Sequence, residues 1–298
     1  MGRNANLKTA VLCLLVFIVL ILSAFGFVSD AYAMPFYDLR PQEQVLRAEF
    51  STDYAKSSAE RKHNIALAVK SLDKTFIDVQ GEFSFNCAVG ARTEKRGYKS
   101  AKIIVKGEFV EGVGGGVCQV STTLYNAALL AGLEITECHA HSIAVNYVAP
   151  SFDAMVNSGS ADLRFINRTH NPVIIRTAAN GEKLTVKIYG EPMREKYSLK
   201  SVLKREIAPE YKVVKDEKGE YPDLFSGERK IISYGKSGIE SEGRLIKTVN
   251  GKVVFSKVIR RNRYAPINGV IVEGTAERPY YPPIENQISA FYSNLKIV

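Results

Sequence analysis

The apolar positions change period several times along the chain, and each change marks an element. Thr9–Val28 is an unbroken run without charge. Residues 34–55 are irregular and mixed. From Ser57, which stands three residues before Glu60 in capping-box spacing, apolar residues recur at Ile65, Val69, Leu72 and Phe76. That spacing predicts a helix over 58–72, with Arg61, Lys62 and His63 on a solvated face. From Thr75 the texture becomes short strands and turns. GEFSFN alternates Phe83 and Phe85 on one face, and AKIIVKGEFVEGV reads as a hairpin turning near Lys106 and Gly107. After Gly114, Gly115 and Gly116 the period is helical again. Val120, Leu124, Ala127, Ala128 and Ala131 form one stripe, and Gly132 ends it. EITECHAHSIAVNYV predicts a strand, and 153–190 more strands. Residues 191–199 read as a polar connection, 200–276 as a second, glycine-punctuated strand region, and 277–298 as a proline-rich turn and tail. Repeats and low-complexity segments are absent. The expected fold class is α+β: a helix following the cysteine loop packed on β-strands over 56–192, then a β-rich domain over 200–276.

The first run also changes the cellular picture. Arg3 and Lys8 precede it, and Ala31-Tyr32-Ala33 follows it as a small-residue cleavage site. This is the grammar of an export signal. The run is also long enough to span a bilayer as an anchor helix, which takes about 20 residues. Residues 1–33 are therefore expected to be a signal peptide or a membrane anchor, and the length favours the anchor. Either way the rest of the chain is extracytoplasmic: membrane-anchored, or secreted to the wall after cleavage at Ala33. Cys13 lies inside the run with no cleavage-like site before it, so a lipoprotein is not expected.

Composition adds little to that. Of 298 residues, 46% are apolar and 24% charged, which suits a folded protein with a sizeable core. Beyond residue 33 there remain 38 basic and 30 acidic residues, a net charge of +8. Outside a cell that balance suits an anionic wall or membrane surface, or simple solubility; nucleic acid is not an expected partner.

Three cysteines lie beyond the export segment: Cys87, Cys118 and Cys138. They are too few for a disulfide scaffold, and an odd count leaves one thiol to explain. Cys118 stands where loop becomes helix, so the field of the helix N-terminus is expected to lower its pKa. Gly115 and Gly116 would let a substrate approach the backbone, and their N–H groups would face an oxyanion; Gln119 is a further candidate on that substrate loop. Gln119, Ser121, Thr122 and Thr123 could equally cap the helix. His139 and His141, two apart on the predicted strand, share a face and are the candidate bases. Asp153 and Asp162, or the neutral Asn167, are available to orient an imidazole, and the spacing does not choose among them. A zinc site from Cys118, His139 and His141 is the weaker alternative, because a lone H-x-H is not a metal signature. No cofactor is expected.

The segment GEFSFNCAVGARTEKRGYKSAKIIVKGEFVEGVGGGVCQVSTTLYNAALLAGLEITECHAHSIAVNYV, with DAMV and DLRFINRTHNPVIIR, resembles the VanW family from about residue 60 to 190. The resemblance implies an exported cell-envelope protein. It also implies an L,D-transpeptidase-like activity on peptidoglycan stem peptides, with Cys118 as nucleophile and His141 and His139 at the family's H-x-H-S histidines. Two positions depart: Ala91 stands where the family often has Pro, and Cys138 where it commonly has Arg. The extra thiol raises a Cys87–Cys138 bridge, or redox blocking of Cys118. GERKIISYGKSGIESEGR and NGVIVEGT resemble a G5 domain, which implies binding to wall glycan strands; a plain β spacer is the bland reading. The expected function is a cysteine acyltransferase of stem peptides. The alternatives are a non-catalytic wall-binding accessory protein, a cysteine peptidase or amidase, and a metal-binding accessory protein.

Overall fold

The computed structural model describes residues 44–105 and 107–278. The expected membrane segment over 1–33 and nearly all of the tail lie outside them. Among the described residues no helix is long and apolar enough to cross a membrane. The architecture is β-rich with few helices.

The first part is a helix-on-sheet layer. Strands β1 (Val45–Asp53), β2 (Thr75–Ile77), β8 (Val173–Ala179) and β9 (Lys183–Gly190) form an antiparallel sheet in the order β1-β9-β8-β2. Helices α1 (Ala59–Leu72) and α3 (Val117–Leu130) pack on that sheet and on each other. The predicted stripe on α3 is the core: Val120, Leu124, Ala127, Ala128 and Ala131 are fully buried, against Leu184, Val186 and Ile188 of β9. Around this layer sit a small sheet of β3 (Glu82–Ser84), β6 (Glu134–Glu137) and β7 (Arg164–Ile166), and the hairpin of β4 (Ser100–Val105) and β5 (Glu108–Val113).

The second part has two three-stranded sheets. Long strands β10 (Glu195–Ile207), β13 (Gly238–Val249) and β14 (Lys252–Tyr264) form one, in the order β10-β13-β14. Strands β11 (Tyr211–Lys215), β12 (Arg229–Ser233) and β15 (Gly269–Glu273) form the other, with β11 parallel to β15.

Five local expectations need correction. Residues 45–53 are a strand, because Ala48 and Thr52 turn inward while the charged positions between them face solvent. The GEFSFN alternation stops at Ser84, whose side chain caps a short helix α2 (Phe85–Val89) by accepting from Cys87 N–H. The strand expected through 134–148 ends at Glu137, and the chain beyond it becomes the long loop 138–163, pinned by isolated bridges between His139 and Met155 and between Asn157 and Ala161. The polar connection is shorter than expected, since β10 already begins at Glu195. Helix α1 starts one residue late: Ser58, not Ser57, is the N-cap and accepts from Arg61 N–H.

Candidate active site

Cys118 occupies the first turn of α3, behind Gly116 in a left-handed conformation at φ 106°. No side chain caps this helix. The N–H groups of Val117 and Gln119 are taken by Gly114 O and Gly116 O at 3.2 and 3.0 Å; the Cys118 N–H finds no acceptor among the described residues. The missing cap leaves a backbone donor beside the sulfur.

The long loop brings the partner groups. His141 is 6% and Asp153 1% exposed. The imidazole Nδ1 and the backbone N–H of His141 each lie 2.7 Å from Asp153 Oδ2. That fixes the ring and leaves Nε2 for the thiol. The thiol's own hydrogen bond runs to Val156 O at 3.3 Å, and His141 acts on the same sulfur.

The electrostatics follow from these contacts. Burial pushes the Cys118 thiol up, but hydrogen bonding and charge from His141, with the nearby Arg92 guanidinium, bring it below the ordinary thiol value. Burial likewise disfavours the imidazolium, yet Asp153 and Cys118 hold it, so His141 is raised to about 9. Asp153 is held below the usual carboxylate range, against burial, mainly by its bond to His141. Both shifts run in the direction of a thiolate–imidazolium pair steadied by a carboxylate. The helix field was the expected cause of thiol activation; among the side chains that lower the thiol, His141 comes first.

The other candidate residues part from this centre. The His139 ring lies against Glu137 at 2.8 Å and is partly exposed. Asp162 accepts from Ser84 Oγ at 2.5 Å and from Asn86 N–H at 2.9 Å, so it braces the start of α2. Asn167 knits its own turn, donating to Ile77, Asp78 and Asn171 carbonyls. Gly115 is packed where a Cβ would meet Lys102 O at 2.7 Å. Gln119 is buried and donates to Thr52 Oγ1 and Asp53 O while accepting from Arg61. Ser121 and Thr122 do not cap the helix. Both donate to Ala154 O, and Thr122 Oγ1 accepts the Ala154 N–H, which fastens the Asp153 segment to α3. Thr123 bonds Thr52. Cys87 is exposed, Cys138 lies beside Arg260, and both are free thiols, so the bridge suggested by the resemblance is not formed. Burial pushes Cys138 up to about 12, an unreactive thiol. Among the described residues no group of three His, Cys, Asp or Glu side chains is placed to hold a metal ion.

What the sequence could not announce is the contribution of the second part. Tyr264, at the end of β14, donates to Asp153 Oδ1 at 2.5 Å and accepts the Ser151 N–H at 2.8 Å. Arg260 on the same strand donates to Asp153 O and stacks over the Tyr125 ring. Ser151 has φ 70°, unusual for a residue with a side chain, and its hydroxyl sits 2.8 Å from Ser241 Oγ of β13. A strained residue two positions before Asp153 is thus held by the β10-β13-β14 sheet. No local pattern connects positions 110 residues apart.

Cys118 and His141 open onto a cleft of about 1610 Å³. It is walled by the β4–β5 hairpin, the glycine loop and the start of α1.

Comparison with known proteins agrees with this division. Two solved structures align with part of the chain. One, titled IgA1 Protease G5 domain structure, is 22% identical and covers 28% of this chain and 92% of its own, with a TM-score of 0.20. The other, titled Crystal structure of HP0197-G5, is 17% identical and covers 28% of this chain and 100% of its own, with a TM-score of 0.17. The uncharacterized protein YoaR of Bacillus subtilis (strain 168) is 45% identical over 141 residues, 47% of this chain and 46% of YoaR. The match thus spans about half the length of that curated relative. Residues 60–189 match the family model described as VanW like protein, and residues 200–276 match the G5 domain. The chain carries a VanW domain at 60–189 followed by a G5 domain at 200–276.

Proposed function

We propose that this protein works at the cell wall as a cysteine acyltransferase of the L,D-transpeptidase type, acting on peptidoglycan stem peptides. The observation that carries the reading is the buried Cys118–His141–Asp153 chain opening onto a large cleft. The cell-wall setting rests on the pairing of VanW and G5 domains, G5 being a binding domain suited to glycan strands. The expected membrane anchor belongs to the same proposal.

The Cys118 thiolate attacks an amide carbonyl of the donor stem. Charge develops on the carbonyl oxygen, within reach of the free Cys118 N–H. The imidazolium Nε2–H of His141 gives its proton to the departing amine, and the C–N bond breaks to leave a thioester. Neutral His141 then accepts a proton from the incoming amine of a second stem. That amine attacks the thioester, and the thiolate leaves with the imidazolium restored. Asp153 keeps the ring oriented through both halves and supports its charge. His139 has no part in these steps.

The test is incubation of purified residues 34–298 with disaccharide-tetrapeptide. Crosslinked dimers that depend on Cys118 are the expected product, and Cys118→Ala should abolish them. Trimmed stems without dimers would make the protein a peptidase with water as acceptor. A Cys118→Ala variant that retains wall binding and function would leave only the binding role.

A further inference from the structure

Two arginines frame the thiol without an anion of their own. Arg61 on α1 donates from Nη1 to Ser57 Oγ at 2.6 Å and from Nη2 to Gln119 Oε1 at 2.7 Å. Arg92 donates from Nη1 to Asn86 Oδ1 at 2.8 Å and to Gly90 O at 3.1 Å, while its Nη2 is buried with no partner. All four acceptors are neutral. Neither guanidinium makes an ion pair among the described residues, yet both are substantially desolvated, which depresses both of them. A cation held this way lacks the compensation that burial demands.

The charges nearby supply only part of it: Cys118 acts on both guanidinium groups and Asp162 on Arg92, in each case without an ion pair. The thiolate is matched by the His141 imidazolium. Asp153 is matched by that same ring and by Arg260, whose Nη2 is 4.0 Å from Oδ1. Arg61 and Arg92 line the cleft with Cys118; its other charged lining residues are Lys56, Lys102 and Lys236, with Asp53, Glu60 and Glu111. The glycine loop is shaped to admit the two arginines: a Cβ on Gly114 would meet Arg92 Cβ at 3.0 Å, and one on Gly116 would meet Arg61 Cγ at 3.0 Å. Each arginine still has N–H donors to spare, and a guanidinium fork fits a planar carboxylate.

We propose that Arg61 and Arg92 form a carboxylate-binding subsite beside Cys118, which selects an acyl donor carrying a free carboxylate near the bond that is attacked. This rests on the acyltransferase reading for the identity of the donor. Three donors on Arg92 and three on Arg61 are unused by the protein, enough to hold both oxygens of one carboxylate. The subsite places the donor peptide before chemistry, and it leaves the thioester beside a retained anion.

The test uses alkylation and needs no turnover, so it can fail or succeed independently of the product assay. Purified protein is treated with iodoacetate or iodoacetamide, and peptide mapping gives the rate at Cys118 and at the exposed Cys87 as an internal reference. The iodoacetate-to-iodoacetamide ratio at Cys118 should exceed that at Cys87 on the order of tenfold, a charge-assisted gain. Arg92→Gln should return the ratio towards that of Cys87, and Arg92→Lys should keep part of it. In the wild type, N-acetyl-D-alanine should protect Cys118 from iodoacetamide, and its amide should not. Equal ratios at the two cysteines, or equal protection by acid and amide, would overturn the subsite. So would both rates falling together in Arg92→Gln with the ratio unchanged, because Arg92 would then serve only as counter-ion to the thiolate.

Discussion

The two domains of this chain are built on different economies of burial. The VanW domain has a conventional interior: every residue of the buried apolar cluster lies between Ala48 and Ile188. The G5 domain supplies only partly buried side chains to it, Leu199, Leu245 and Ile259. Its sheets leave Ile231, Ile232, Tyr234, Val253 and Val254 in solvent. Of the residues it does bury, Tyr264 and Ser241, 1% and 3% exposed, meet the loop that carries Asp153, while Val272 is buried in its own strand β15. One domain is therefore stable through its own layers. The other commits Tyr264 and Ser241 to the neighbour's Asp153 loop. The candidate site draws on both.

The largest effect should come from the VanW side. His141→Ala removes the group that lowers the Cys118 pKa most and leaves burial opposed only by the Val156 contact and Arg92, so the thiol pKa should rise above that of a free cysteine. Alkylation of Cys118 at neutral pH should slow by about 10²–10³-fold, and its pH profile should move to the alkaline side. An unchanged profile would mean that the helix terminus and Arg92 activate the thiol without the histidine. That result would return the centre to the simpler arrangement of a cysteine at a helix start.

The next effect tests whether the G5 domain contributes to the chemistry or only to packing. Tyr264→Phe deletes the hydroxyl bond to Asp153 and orphans the Ser151 N–H. Loss of stability should be about 1–3 kcal/mol by denaturant unfolding. The decisive reading is the pH profile. The tyrosine hydroxyl lowers the Asp153 pKa, so its loss raises it and weakens the support that holds His141 at about 9. In the proposed reaction the imidazolium protonates the leaving amine, and it is present only below its pKa. The alkaline limb of the rate should therefore shift to lower pH. A rate that drops equally at all pH values would assign Tyr264 to packing alone.

The same contrast explains what could be read from the sequence. Helix α3 was legible because its stripe and its flanking glycines are local signals. The hairpin β4–β5 was legible for the same reason. Cys118 and His141 stood out as residue types at a loop-to-helix corner and after it. The choice of Asp153 over Asp162 was not legible. Both are buried carboxylates in the same loop, and only the tertiary fold sends one to His141 and the other to Ser84. The period-2 argument for His139 failed because the strand ends at Glu137, so the two histidines do not share a pleat. The roles of Arg61 and Arg92 were hidden for another reason: a charged face on an amphipathic helix and an arginine in a loop usually mean solvent. Their significance lies in what they lack, and that is visible only when the neighbours are placed.

The smallest effect is the control that keeps the comparison honest. Tyr234 is 79% exposed, beyond the end of β12. If the G5 domain needed a hydrophobic interior of its own, the apolar side chains along this edge would be part of it. Tyr234→Ser should then cost as much as a core truncation, about 3 kcal/mol or more. With this side chain already in solvent instead, the change should lie within about 0.5 kcal/mol in unfolding and leave Cys118 alkylation unaltered. A neutral result for stability together with a loss of affinity for isolated wall glycan would place that exposed edge in ligand binding. A large stability loss would show that the G5 sheets pack in solution in a way that their exposed faces do not reveal.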